Sequence, residues 1–504
     1  MTDSEVLEVE RKYDVGEGDE LPVLESLPGV DRVEAPEDES LDAVYFDTAG
    51  LALSSRGITL RRRTGGHDDG WHLKLPVAVG ERQEFTVRLG KNPESVPRRL
   101  RRLVQVHTRD HDVIPVARLK TRRTTQRLFA ADGTALADFS DDRVDSQTLL
   151  APQERATWRE WEIELIDGPK GLLKGADALF ASTGHHPSAL PSKLARGLGR
   201  KYPAGADPAP GPEPTGPASA VLLSYLRQQV EALKNHDPGV RENAPDAVHQ
   251  LRVAARRIRS ALATFRKLAD PDVTGSLRSE LQWLAGTVGE ARDNEVMRAR
   301  LLELIGAEPP ELLLGPVAKT VEEHFDAAAH RARAKGLAAL KSSRYFRLLD
   351  ALDDFLADPP LTETAGKDAL PTVGRLVSKQ RKRLKKEVRA LDAESSTPAA
   401  DAALHEVRKS AKRLRYAAEA ATPIFGKRAS TLARAAEEIQ EHLGDHHDSA
   451  VTRDLLRELA ASAPGTSAFT YGRLHALEEL AGEESRRKFF GAWSSSPPAP
   501  LRWT

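Results

Sequence analysis

Residues 58–76 read ITLRRRTGGHDDGWHLKLP. Two alternating runs flank the glycine-bounded stretch GGHDDG, which predicts a β-hairpin. Its strands put Arg61 and Arg63, then His72 and Lys74, on one face, with Leu73 and Leu75 on the other. Taken alone, this is an antiparallel sheet with an apolar buried side and a wet side. The signs of the charges on the neighbouring strands argue for something else.

LEVERKY (7–13) sets Glu8, Glu10 and Lys12 against Val9 and Tyr13, and ALADF (135–139) presents Asp138. WREWEIEL (158–165) sets Glu160, Glu162 and Glu164 against Trp161, Ile163 and Leu165. ARLKTRR (117–123) offers Arg118, Lys120 and Arg122 on one face. Carboxylates therefore concentrate on the first and last strands, cations on the middle ones. An inert surface intersperses the two signs so that neighbouring strands attract. Segregation costs repulsion unless a ligand neutralises both sets. A polyanion carried with a divalent ion does so: paired Glu-x-Glu strands supply hard oxygens suited to Mg²⁺ or Mn²⁺, and the basic strands supply charge-assisted bonds to phosphate. No GxxxxGK[ST] phosphate loop is present, so this is not a P-loop enzyme, and no Ser/His/Asp constellation is found.

In order, the ExExK of Glu8–Lys12, the hairpin arginines, Lys120/Arg122, Asp138, Glu162/Glu164 and Ser192–Lys193 resemble the CYTH family, the triphosphate tunnel metalloenzymes. The likeness covers about residues 4–203. It implies a closed antiparallel barrel of about eight strands whose alternation is inside-out, with charge lining a tunnel and apolar residues meeting covering helices. Residues 93–106 and 169–183 are the candidates for two of these. It further implies that Glu8, Glu10, Asp138, Glu162 and Glu164 hold metal. Lys12, Arg61, Arg63, Lys74, Lys120, Arg122 and Lys193 would bind the phosphates, and the activated nucleophile would be water. Arg82 and Glu84 are added from the strand RQEFTV, whose register is open.

The chain has 504 residues, too many for one core. Lys+Arg at 74 nearly balances Asp+Glu at 75, so any basic site is a local concentration. The absence of cysteine excludes disulfides and thiol chemistry. The opening MTDSEVLEVERKY lacks a signal-peptide pattern and no run reaches the roughly 18–20 apolar residues of a membrane span, so a cytoplasmic protein with no membrane partner is expected. The Pro/Gly-rich stretch at 204–217 reads as a linker, and 491–504 as a tail, disordered over SSSPPAPLRWT.

Beyond the linker the chain is helical and duplicated. HQLRVAARRIR (249–259) aligns with HEVRKSAKRLR (405–415), and TVGEARDNEVMRARL (287–301) with HLGDHHDSAVTRDLL (442–456). Gly289 pairs with Gly444 and Asp293 with Asp448, at nearly constant offset. Each first block carries a basic ridge, His249/Arg252/Arg256/Arg259 or His405/Arg408/Lys412/Arg415, beside a normal apolar stripe. A third acid-poor helix, RLVSKQRKRLKKEVR (375–389), offers Arg375, Lys379, Lys382 and Lys386. A single ridge reads as a solvated face; its duplication argues for an anion site. The leading histidines read either as partners of that anion or as buried cap-like groups. His442 and His446 have metal-compatible spacing, but the other copy lacks them, which argues against zinc.

This half resembles the CHAD domain over about 218–490, with repeats near 218–310 and 370–460. That implies two four-helix bundles related by a pseudo-twofold axis, basic helices lining a shared channel, and binding of inorganic polyphosphate. The whole is thus expected to be an α+β chain of two domains, a metal-dependent inorganic triphosphatase with a polyphosphate-binding module. Thiamine triphosphate, a nucleotide or ATP cyclisation remain alternative chemistries of the tunnel, and a non-catalytic polyphosphate-localising protein is the alternative class. Nucleic acid is the less favoured polyanion, because aromatics amount to 5% of the chain.

Overall fold

The computed structural model describes residues 4–78, 80–90, 92–203, 211–391, 398–463, 465–495 and 497–501. It divides into two units, Met1–Asp207 and Pro208–Thr504.

The first unit is the closed antiparallel barrel. Its strands are β1 (Ser4–Val15), β3 (Glu37–Asp47), β4 (Thr59–Thr64), β5 (Gly70–Ala78), β6 (Glu81–Val87), β7 (Ile114–Phe129), β8 (Ala135–Thr148) and β9 (Arg155–Leu165). They run β7-β3-β4-β5-β6-β1-β9-β8 around the ring, and β7–β8 pairing closes it; a two-residue strand β2 (Arg32–Val33) adds to β7. The predicted hairpin is β4–β5, with Arg61 opposite His72. Gly65 begins its turn at φ +81°, and a Cβ there would meet the Ser40 carbonyl oxygen at 2.1 Å, so only glycine fits.

Alternation runs inside-out. On one outer side Tyr13, Phe139, Trp161 and Ile163 pack beneath Leu172, Leu173, Ala176 and Phe180 of helix α2 (Gly171–Ala181). On another, Leu60, Trp71, Leu73 and Phe85 pack beneath Leu100, Leu103 and Val104 of α1 (Arg98–Thr108). Each such side chain contributes about 1.5–3 kcal/mol of burial, so the apolar shell lies outside the ring. A short helix α3 (Lys193–Leu198), capped by the Ser192 hydroxyl, closes one end. Its Leu194 and Leu198 pack with Ala43, Ala117, Leu119, Val144 and Trp158, inward positions of β3, β7, β8 and β9.

The second unit holds nine α-helices among the described residues. α4 (Ala218–Glu242), α5 (Ala247–Thr264), α6 (Pro271–Ala307) and α7 (Val317–Ala339) form one set. After α8 (Ser343–Ala357) the second set follows: α9 (Ala369–Arg389), α10 (Pro398–Phe425), α11 (Lys427–Ser462) and α12 (Gly465–Ser495). Within each set, consecutive helices pack on one another. Each repeat therefore includes a fourth helix beyond the boundaries near 310 and 460. The equivalent residues Met297 and Thr452 meet across the sets, with the Thr452 hydroxyl 3.2 Å from the Met297 sulfur.

Two boundary expectations change. In the linker, 204–210 lies outside the described residues, but 214–217 is docked: Leu370 N–H donates to Pro214, Ala369 N–H to Gly216, and Pro217 bridges to Asp368. At the other end α12 continues to Ser495, Arg381 donates to the Pro498 carbonyl at 2.7 Å, and Leu501 is buried. Only 496 and 502–504 of that stretch fall outside the description.

Candidate functional site

The barrel encloses a cavity of about 350 Å³. Directly opposed residues of antiparallel strands share a face, so pairing fixes who meets whom. Glu10 opposes Glu164 and Lys12 opposes Glu162 across β1–β9; Glu8 opposes Arg82; Lys74 opposes Glu84. Glu8, Glu10, Lys12, Arg61, Arg63, Lys74, Arg82, Asp138, Glu162, Glu164 and Lys193 all line this one cavity.

Most of these charges are matched. Lys12 bonds Glu10 and lies 2.8 Å from Glu162. Lys74 bonds Glu8 and lies 3.9 Å from Glu84. Arg82 stands 3.8 Å from Glu10 and also donates to the Pro191 carbonyl. Burial would raise the Glu10 carboxyl, yet Lys12 and Lys74 hold it down at about 2. Asp138 sits toward the exposed rim, in a two-bond pair with Arg127 at 2.8 and 2.9 Å.

Two regions are not matched. Glu164 makes no ion pair among the described residues, and burial, then Glu8, Glu10 and Glu162, push its carboxyl up to about 7 against the pull of Lys74. Beside it, Glu8 Oε2 is buried without a hydrogen-bond partner. Hard oxygens short of positive charge are what a divalent ion resolves; the expected set Glu8, Glu10 and Glu164 lines the cavity here, with Glu8 and Glu10 each carrying a lysine partner and Glu164 carrying no ion pair among the described residues. On the opposite side of the charge balance stand Arg61 and Arg63, each with a buried, unpartnered Nε. Burial, then Arg61 and Arg123, lower Arg63 to about 9, although Asp68 of the hairpin turn touches it. A cation-rich pocket of this kind favours an anion.

A third group lies deeper. Asp142, Glu160 and Glu162 are buried carboxylates whose oxygens lie within 4.8 Å of one another. Lys193 Nζ reaches all three, at 2.9, 2.7 and 2.6 Å. Arg123 adds paired bonds to Asp142 at 2.8 and 2.6 Å and one to Glu162 at 2.6 Å.

In the helical unit the duplication yields matching geometry. Arg252 of α5 lies over Gly289 of α6, and Arg408 of α10 over Gly444 of α11; a Cβ on either glycine would stand 2.5 or 3.2 Å from a guanidinium nitrogen. The shared glycine is therefore space for the first arginine of each ridge. The two copies differ in charge. Arg252 is bonded by Asp293 at 2.7 and 3.2 Å, whereas Arg408 Nε is buried without a partner. His405 stacks on His447 at 4.3 Å, its Nδ1 also unpartnered. α5 and α10 pack together, and the Arg256 guanidinium donates to the Tyr416 hydroxyl at 3.0 Å. Burial, then Arg408 and Arg256, push the Lys412 ammonium down to about 7, so both ridges act on one spot. His249 is exposed at the start of its ridge, Arg259 bonds Gln282 at 2.9 Å, and Arg415 is spoken for by Glu419 and Glu437 at 2.9 and 2.7 Å.

Comparison with known proteins agrees with both geometries. The CYTH domain profile matches residues 7–188 and the CHAD domain profile residues 224–457. Uncharacterized protein Rv2226 of Mycobacterium tuberculosis is 38% identical over 502 residues, covering 96% of this chain and 95% of its own. The chain belongs to the CYTH–CHAD family. Among solved structures, PptA from Streptomyces chartreusis is 27% identical, covering 55% of this chain and 100% of its own at TM-score 0.47. The CHAD domain from the plant Ricinus communis is 25% identical, covering 58% of this chain and 98% of its own at the same TM-score. CYTH domains bind triphosphates, are metal-dependent, and act as triphosphatases or cyclases; CHAD domains are linked to polyphosphate. No described helix is long and apolar enough to cross a membrane.

Two expected CYTH residues are misplaced. Lys120 and Arg122 are exposed on the outside of the barrel, around a hollow shared with Asp42, Arg143 and Asp145. β7 enters the barrel end with Ala117 and Leu119 packed by α3, and period two then turns Thr121, Arg123, Thr125 and Arg127 inward. Arg123 takes the inward place: it opposes Glu39 on one side and Asp142 on the other. Within TRRTTQR the parity of Arg122 and Arg123 is ambiguous; only buried Leu119 could have set it. Glu37, Glu39, Tyr45, His67, Asp68, Glu84 and Arg127 also line the cavity. In CHAD the residues of the third basic row, Arg375, Lys379, Lys382 and Lys386, are exposed on α9. The side of α9 acting on the neighbouring helix instead carries Arg383 and Glu387, beside Arg413. His446, weighed as a metal ligand, is buried and bonded to the Gly482 carbonyl and Asp401, both at 3.0 Å.

The CHAD geometry has a direct test. Removing the Arg256 charge (Arg256→Met) lifts the Lys412 titration upward from about 7, read from ¹³C-labelled lysine shifts against pH; an unmoved titration would mean the two ridges do not share a site.

Proposed function

We propose that the CYTH barrel hydrolyses inorganic triphosphate with Mg²⁺ or Mn²⁺, and that the CHAD unit binds inorganic polyphosphate. The observation that carries this reading is that an acid-rich patch and a cation-rich patch, each short of counter-charge, open onto one cavity. Glu8, Glu10 and Glu164 would hold the divalent ion, which supplies Lewis acidity to phosphoryl oxygens and to bound water.

The chain's own part is binding and orientation, which is where phosphoryl-transfer catalysis chiefly lies. Arg61, Arg63, Lys74, Arg82 and Arg123 line the wall as donors to phosphate oxygens, with Arg forks suited to two-point contact. Lys12 is fixed between Glu10 and Glu162 and bridges the two regions. Water is the nucleophile: no lining serine or threonine is bonded to a histidine, and Thr125 and Ser140 bond each other. Inorganic triphosphate is favoured over nucleoside or thiamine triphosphates because, among the described residues, Leu41, Tyr45, Ile166 and the His67 ring are the only apolar or aromatic lining groups, too few to form a base platform.

Purified protein should release phosphate from triphosphate only with Mg²⁺ or Mn²⁺ present. Glu164→Gln should lower that rate by about 100-fold. No release from the wild type, or faster release from ATP or thiamine triphosphate, sinks the inorganic-substrate assignment.

Because Glu164 rests near 7 in the free protein, metal must displace its proton at lower pH. Mn²⁺ affinity should therefore drop about tenfold for each unit below pH 7 and level off above it, a slope calorimetry reads and Glu164→Gln removes.

For the CHAD unit, long-chain polyphosphate should bind the full chain in a salt-sensitive manner. Arg408→Ala should weaken it about tenfold, or about 1.4 kcal/mol, and Arg252→Ala less, since Asp293 already matches that charge. Equal losses would remove the ranking of the two copies.

A further inference from the structure

The deep carboxylate trio asks for a cation. Asp142, Glu160 and Glu162 are 0%, 4% and 8% exposed, and their oxygens are close enough to ligate one ion. Three convergent buried carboxylates are a hard-oxygen donor set. Yet the centre already holds an ammonium: Lys193 Nζ lies 2.6–2.9 Å from each. An ammonium has three N–H donors, and here three acceptors await them.

The lysine is also held from behind. It is the first residue of α3; the Ser192 hydroxyl accepts from Ala195 N–H, and Leu194 and Leu198 are buried in the barrel end. A swing of Lys193 away from the trio would have to work against that anchorage. Charge is balanced as well. Against three carboxylates stand Lys193, Arg123, which bonds Asp142 and Glu162, and Lys12, which bonds Glu162. A further divalent ion there would face cations rather than vacant oxygens. Glu164, by contrast, has no ion pair among the described residues.

We infer that Lys193 is a tethered cation that fills the Asp142–Glu160–Glu162 cage, so that the barrel takes its divalent ion at Glu8, Glu10 and Glu164 and none in the deep cage. This rests on the metal site proposed above. Asp142 and Glu160 are then positioning residues: they hold Lys193 and Arg123 in place, and Glu160 also accepts the Trp158 indole N–H at 2.6 Å. With its donors engaged in the free protein, Lys193 acts as fixed counter-charge to the cage.

The test counts ions in the free full-length protein, with no turnover required. Mn²⁺ is titrated and free Mn²⁺ followed by electron paramagnetic resonance. Lys193→Met should bind one Mn²⁺ per chain more than wild type, and Lys193→Met with Glu160→Gln should return to the wild-type number. Lys193→Arg and Glu160→Gln alone should both keep the wild-type number, which preserves the test if Lys193→Met does not fold. An unchanged number in folded Lys193→Met, or one ion fewer in Glu160→Gln, overturns the tether. A wild type that binds no Mn²⁺, beside Lys193→Met that binds one, keeps the tether and removes the site at Glu8, Glu10 and Glu164.

Discussion

A closed ring of eight strands with charge on its concave side must satisfy those charges from within. Water cannot hydrate them freely, and an unpaired buried charge costs several kcal/mol. That constraint organises the barrel. It forces acids and bases onto opposed strand positions, as Lys12 against Glu162 and Lys74 against Glu84. It sends the apolar residues outward, and so requires α1 and α2 as a covering shell. It also makes the exceptions informative. Where the pairing stops, at Glu164 and at the Nε atoms of Arg61 and Arg63, the fold retains an electrostatic debt that a metal–anion complex can settle.

The helical unit leaves charge unmatched by different means. Each ridge lies beside a normal core stripe, so the helix folds on its apolar residues and the cations are free of structural duty. Glycine at 289 and 444 lets the long helices receive the first arginines. Duplication then sets cations of one copy against those of the other, as Lys412 meets Arg256. The equivalent acids are used differently: Asp293 bonds Arg252, while Asp448 acts on Arg408 only through space. The two ridges are therefore matched at different places: Arg252 at the head of the first and Arg415 at the end of the second.

Much of this was legible because charge segregation and period two survive in the sequence. ExExK, the hairpin arginines and the final Glu-x-Glu gave the barrel and most of its lining, and the offset repeat gave the helical pairs. What escaped has identifiable causes. Arg122 and Arg123 are adjacent, so alternation alone cannot choose between them; the packing of Leu119 under α3 does. Glu160 reads as a continuation of an acidic strand and Asp142 is not singled out at all, since their partner Lys193 arrives from a distant helix. The α9 row has ridge spacing, but which side of a helix meets its neighbour is settled by tertiary packing, and there Arg383 meets Arg413.

The apolar seal made by Leu194 and Leu198 bears on traffic. With α3 seated among Ala43, Ala117, Leu119, Val144 and Trp158, that end of the barrel is plugged. A chain cannot be threaded through it from one end to the other. Anything that enters must back out past the rim of Glu37, Glu39, His67 and the Arg127–Asp138 pair, so a long polymer could present no more than its tip. Under the proposed hydrolysis, departing product and arriving ligand would share one doorway, beside Glu37 and Glu39, which His67 partly matches.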